Sequence, residues 1–178
     1  MPDLIEVRPF SGRAEYEQMV DYFLDADDTL LRAMGVDRSK FPPREEWIAS
    51  ALRDHTRSNQ EKERAYLAWV YEGVTVGHSS INKIKVGEDA FIHLHLWSAP
   101  RRRAGLGTAF FRLSAERFVK DFSLRRLWCE PYAENAGPNR VLQRAGFQLI
   151  KRYRTIPGPL NHEQEVNQYV REFPPVVG

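Results

Sequence analysis

The residues best suited to chemistry stand in one short run. Arg101-Arg102-Arg103-Ala104-Gly105-Leu106-Gly107-Thr108 lies between the end of a strand pattern and the start of a helix pattern. First-turn N–H groups of a helix have no intrahelical partners, and the helix dipole is positive there. Glycines at 105 and 107 let the backbone approach a ligand, so successive amides can cradle a phosphate or pyrophosphate while arginines reach further oxygens. No Lys-Ser/Thr pair follows the second glycine, so the run is not a P-loop, and it lacks the third glycine of a dinucleotide fingerprint. Taken alone, it also reads as a turn with solvated arginines. His93 and His95 share one face of a strand and are open to three readings: general base, metal ligand, or half-buried strand histidine. No further ligand set lies at a supporting spacing, and no metal is expected.

The elements that must position these residues follow from periodicity. Residues 4–10 predict a short strand ended by Pro9. Tyr16, Met19, Val20, Phe23 and Leu24 recur at helical spacing, as do Trp47, Ile48, Ala51, Leu52 and His55. Strands at 65–71, 74–86 and 90–97 follow in meander order, joined by Glu72-Gly73 and Gly87-Glu88-Asp89. In the third, Ile92, Leu94 and Leu96 take one face while Phe91, His93, His95 and Trp97 take the other. A helix at 106–122, a strand at 126–132, a helix at 138–145 stopped by Gly146, and strands at 147–156 and 166–173 complete the pattern. This order predicts a mixed α/β (α+β) arrangement around one sheet, with strand-helix-strand crossovers in its second half.

Composition bounds what such a fold can be. The 178 residues carry 26 Lys+Arg against 24 Asp+Glu, a formal charge of +2, and predict a single domain over residues 1–178. A dedicated nucleic-acid coat would be more basic. The single Cys129 excludes an internal disulfide framework and suits a reducing cytosol. The amino terminus has no secretory pattern and no run is long enough for a bilayer helix, so a cytoplasmic location is expected, without membrane or nucleic-acid partners.

Arg102-x-x-Gly105-x-Gly107, after a strand and before a helix, resembles the acetyl-CoA pyrophosphate loop of the GNAT (GCN5-related) N-acetyltransferases. Leu127-Trp128-Cys129-Glu130-Pro131-Tyr132-Ala133-Glu134-Asn135, followed by Arg140-Val141-Leu142-Gln143-Arg144-Ala145-Gly146-Phe147, is similar to a second block of the same superfamily, nearest its ribosomal-protein-acetylating branch. The resemblance implies a GNAT-like acyl-CoA N-acyltransferase fold: a mostly antiparallel central sheet with a splayed parallel strand pair, flanked by about four helices. It implies that Arg102, Arg103, Ala104, Gly105, Leu106, Gly107 and Thr108 hold the CoA pyrophosphate, largely through backbone amides. Trp97 and Ser98 would pair with the pantetheine arm like a neighbouring strand. Asn135 would bond the cofactor near its thioester, where a plain helix N-cap is the other reading, and Arg140 would reach the CoA.

Acetyl transfer to an amine needs a neutral nucleophile, a donor for the developing oxyanion and a proton for the departing thiolate. Glu130 stands where the ribosomal-protein branch carries a catalytic glutamate, and His93 and His95 offer a second base. A His near 93 with an acid before Pro131 is also similar to acyltransferases of hydroxylated lysine. Leu142 departs from the pattern, since many family members place a tyrosine acid there. Tyr132 and Tyr153 are weak substitutes. Cys129 faces away from Glu130 by strand parity, which favours direct attack in a ternary complex over an acyl-enzyme. The implied activity is acetyl-CoA-dependent N-acetylation of a primary amine, on a protein N-terminus or a small molecule. The alternative is a silent acyl-CoA sensor. The acceptor cleft is expected at about 25–45 and 157–164, where Asp25, Asp27, Asp28 and Glu163 have two readings, attraction of a cationic amine or plain solvated loop acids, and a homodimer is possible.

Overall fold

Alternating apolar residues in the meander build the middle of the molecule. In the computed structural model, which describes residues 4–97, 105–175 and 177, β1 (Ile5–Pro9), β2 (Arg64–Tyr71), β3 (Val74–Lys85) and β4 (Asp89–Leu96) pair antiparallel in that order. β5 (Arg126–Cys129) joins β4 in parallel, and β6 (Gln148–Thr155) and β7 (Gln164–Glu172) extend the sheet in the order β1-β2-β3-β4-β5-β7-β6. This is the expected GNAT-type mixed architecture.

Each face of the sheet buries its own helices. α4 (Leu106–Phe122) and α5 (Ala136–Arg144) cover one face, where Phe110, Phe111 and Phe118 meet Trp69, Ile81, Ile92 and Leu127. Trp69 stacks on Phe110 at 5.2 Å and donates from Nε1 to Ser114 Oγ at 2.8 Å, so the indole is packed and satisfied at once. On the other face, α1 (Arg13–Leu24) and α3 (Arg44–Leu52) bring Tyr16, Val20, Phe23 and Ile48 onto Ala68 and Val70. Each such fully buried side chain contributes about 1.5–3 kcal/mol.

A gap opens where the parallel pair parts. The β4–β5 ladder runs only from Asp89↔Arg126 to Phe91↔Trp128, although β4 continues to Leu96. β5 stops at Cys129, shorter than the expected strand to 132, because Pro131 has no N–H for a ladder.

The periodicity missed one helix, so among the described residues there are five α-helices rather than about four. α2 (Asp28–Met34) is too short to show a repeat, yet its ends are marked. Asp27 accepts from the Leu30 N–H at 2.8 Å, and Gly35 closes the helix at φ 68°. α2 is tied to the β6–β7 connection by the Val36↔Asn161 bridge and by the Asp37 N–H, which donates to Leu160 O at 2.8 Å. A Cβ on Gly35 would lie 2.3 Å from Gln164 Oε1, so this junction needs glycine for space as well as for φ.

Candidate active site

A cleft of about 670 Å³ passes through the parted strands. His93, Leu94, His95 and Leu96 of β4 line one side and Cys129, Glu130 and Pro131 the other. It opens towards the α4 and α5 N-termini at one end and towards α1 and α2 at the other.

Gly105, Gly107 and Thr108 border the first end. Gly105 is the α4 N-cap at φ 72°, and a Cβ there would meet nothing within 4 Å. A Cβ on Gly107 would sit 3.6 Å from Val141 Cγ2, in ordinary contact with α5. A glycine-flanked helix start bordering the cleft, with first-turn amides directed along the axis, fits the diphosphate of CoA. The Leu106 side chain packs into the core, which leaves its backbone as the group facing that space. Ser98, Arg102, Arg103 and Ala104 lie outside the described residues.

α5 forms the adjoining wall through Asn135, Pro138, exposed Arg140, Val141 and Arg144. Asn135 occupies the N-cap position without a side-chain capping bond. Asn139 secures this turn instead. Its Nδ2 donates to Asn135 O at 2.7 Å and Tyr132 O at 3.0 Å, while its Oδ1 accepts from Asn167 at 2.8 Å and the Tyr169 hydroxyl at 3.1 Å. Leu142, at the position of the family tyrosine, is fully buried and points into the core.

Glu130 stands in the middle of the cleft, just past the end of β5. Its Oε1 accepts from Gln168 Nε2 at 2.7 Å and from the Tyr153 hydroxyl in a short hydrogen bond. Both donors are neutral, so they orient the carboxylate without cancelling its charge. Burial, together with the bond to Glu130, pushes the Tyr153 hydroxyl up to about 12, so it keeps its proton at neutral pH. Neighbouring Cys129 is buried, and burial raises its thiol far above the range of a reactive thiolate.

The two predicted histidines occupy different settings. His93 Nε2 lies 3.0 Å from Asn82 Oδ1, and burial with the charges of Lys83 and Arg64 lowers its pKa to about 4. His95 stacks on His78 at 5.0 Å and meets Phe23 edge-to-face at 5.0 Å. His78 was not among the sequence candidates. Burial holds its pKa well below the ordinary histidine value, and its Nδ1 accepts from Trp97 Nε1 at 2.9 Å. Trp97 thus places its ring in the α1-side cluster, and its backbone N–H donates to Val76 O at 2.8 Å. Hairpin symmetry alone misplaces His78, because the register slips between Asn82 and Lys85, where Lys83 has φ 49°. Among the described residues, no group of three His, Cys, Asp or Glu is arranged to hold a metal ion, and no helix is long and apolar enough to cross a membrane.

Three of the four acidic residues near the expected acceptor site are engaged elsewhere. Asp27 caps α2, Asp28 pairs with Arg38 at 3.3 Å, and Glu163 pairs with Arg154 at 3.0 Å. None of these lines the cleft, nor does Asp25.

The sequence matches the model of an acetyltransferase (GNAT) domain over residues 5–148. No curated protein matches it in sequence. Among solved structures it is similar to RimL, a ribosomal L7/L12 alpha-N-protein acetyltransferase in complex with coenzyme A (TM-score 0.75, 17% identity, 96% of this chain and 94% of that one). It is also similar to the Salmonella typhimurium acetyl transferase that modifies the N-terminal serine of L7/L12 (0.75, 16%, 97% and 96%). A third is the aminoglycoside acetyltransferase AAC(6')-Ib in complex with coenzyme A (0.71, 12%, 94% and 94%). At these identities the structures share a fold, while the domain match covers most of the chain, and the protein therefore belongs to the GNAT acetyltransferases.

Proposed function

We propose that this protein is a single-domain, acetyl-CoA-dependent N-acetyltransferase that acetylates a primary amine by direct attack, with Glu130 as general base. The observation that carries the reading is the position of Glu130. It is a carboxylate in the middle of the cleft, downstream of a glycine-flanked helix start and held by two neutral donors.

Acetyl-CoA, when bound, supplies an acetyl group activated as a thioester; a C–N bond forms as the C–S bond breaks, and CoA leaves as the thiol with the second proton given up by the amine nitrogen. The amine arrives protonated, since a free alkylammonium titrates near pH 10. Glu130 takes that proton, directly or through one water, and frees the lone pair. Leu106, Gly107 and Thr108 offer first-turn amides to the diphosphate, with Arg102 and Arg103 as further cationic groups. Asn135 and Arg140 line the path from the α5 side. His93 is neutral above about pH 4, which suits a hydrogen-bonding wall and not a holder of the ammonium proton. Cys129 is too poor a nucleophile to form an acyl-enzyme, which favours the ternary complex.

Glu130→Gln keeps the shape of the side chain and removes the base. It should lower kcat at pH 7.5 by about 10²-fold and leave acetyl-CoA affinity within about twofold, read by thiol release and calorimetry. An unchanged kcat removes Glu130 from the role.

A further inference from the structure

The amine end of the cleft has a chemistry that neither the fold nor the proposed reaction specifies. Its wall on the α1–α2 side is apolar and aromatic, formed by Tyr22, Phe23, Leu30, Met34 and Trp47, and Leu160 faces them from the β6–β7 connection. The ring faces there are used on one another. Phe23 packs on Trp47 at 5.4 Å and on His95 at 5.0 Å, and Tyr22 stacks on Trp97 at 6.2 Å. The floor beneath is neutral: Ser80 and Asn82, with His78 and His93 held in their uncharged forms.

Charge is nearly absent from this half. Among the described lining residues Glu130 is the only carboxylate, and Arg64 adds a positive charge beside the floor. One ammonium has a counterion at Glu130. A second would be taken from water into an aromatic wall with no anion facing it, at a cost that rises as the site closes. The bridge between Val36 and Asn161 joins the two walls and fixes their separation.

Resting on the N-acetyltransferase reading, we infer that the acceptor is a primary amine on an apolar or aromatic body carrying no second positive charge, excluding polyamines and aminoglycosides. Two sources share that chemistry: a free hydrophobic amine and a peptide with an apolar first residue.

The test uses the full chain with acetyl-CoA and measures thiol release with phenethylamine, phenylalanyl-alanine amide, spermidine and kanamycin. The expected kcat/KM for at least one of the first two exceeds that for spermidine and kanamycin by about tenfold or more. Whichever of the first two leads identifies the source. A kcat/KM for either polycation within tenfold of the better apolar amine, or above it, overturns the inference and leaves the N-acetyltransferase reading intact. If no amine is turned over, calorimetry on the CoA-loaded protein decides. Tighter binding of phenethylamine than of spermidine keeps the apolar site and removes the catalytic reading, whereas equal, absent or reversed binding overturns the inference. Leu30→Glu places a carboxylate on the half-buried α2 wall. It should lower the phenethylamine-to-spermidine preference about tenfold, and an unchanged preference in a folded variant places the acceptor body elsewhere.

Discussion

His93 offers a measurement in which geometry and protonation stand or fall together. Its half-buried ring sits with Nε2 3.0 Å from Asn82 Oδ1, and burial, then Lys83 and Arg64, lower its pKa from 6.5 to about 4. Between those values the unfolded chain binds a proton that the folded protein does not. The contribution of His93 to stability is therefore complete above pH 6.5 and is lost as pH falls towards 4. For one such site the loss by pH 5 is about 2 kcal/mol. Partial contact of the ring with solvent brings the expected figure to about 1 kcal/mol. His93→Gln retains an amide donor for Asn82 and removes the titrating group. Urea unfolding at pH 7.5 and pH 5 should show the unaltered protein losing about 1 kcal/mol more than the variant. His78 is buried and neutral in both proteins, so its contribution cancels. Equal losses in the two proteins would refute the reasoning and make His93 an ordinary imidazole able to act as a base near neutrality.

Three other substitutions probe separate parts of the site. Gly105→Ala forces a side chain into φ 72°, where among the described residues no atom beyond the chain neighbours lies within 4 Å of the new Cβ. Thermal unfolding should register a loss of about 1 kcal/mol, and a larger loss in CoA affinity would mark this helix start as the diphosphate position. Tyr153→Phe removes a donor to Glu130 while leaving the cleft lining untouched. As a positioning residue it should lower kcat about tenfold, the scale of one charged hydrogen bond, with the KM for acetyl-CoA unchanged; a shift in KM alone would contradict that role. Leu142→Tyr introduces the tyrosine that the resemblance leads one to expect, but at a position with 0% exposure. Overpacking should cost about 1–3 kcal/mol with no gain in turnover, and a faster enzyme of unchanged Tm would show that this position reaches the cleft after all.

Much of the fold was legible because its signals are local. Period-two alternation around His93, glycine-marked turns and the helical spacing of Leu106, Phe110 and Leu113 each reside within a few residues. Glu130 and the 105–108 run stood out as candidates because their spacing resembles short motifs, and the cleft brings Glu130 together with Gly105, Gly107 and Thr108. α2 was hidden because seven residues hold less than two full turns, too few for a periodic face, although Asp27 and Gly35 marked its ends. His78 was hidden because its position opposite His95 depends on a register slip at Lys83.

What the chain determines by itself is the kind of protein: a near-neutral mixed α/β chain with a phosphate-suited helix start and a glutamate in a family motif. Only the tertiary structure decides the partners of those groups. Tyr153 and Gln168 reach Glu130 from strands that begin more than a dozen residues downstream, and Asp28 and Glu163 are drawn into ion pairs away from the cleft. Burial lowers His93, seals Leu142 and leaves an aromatic wall where the sequence suggested acids. The physical reason is that residue type is a property of one position, whereas desolvation and pairing belong to the set of segments folding brings together.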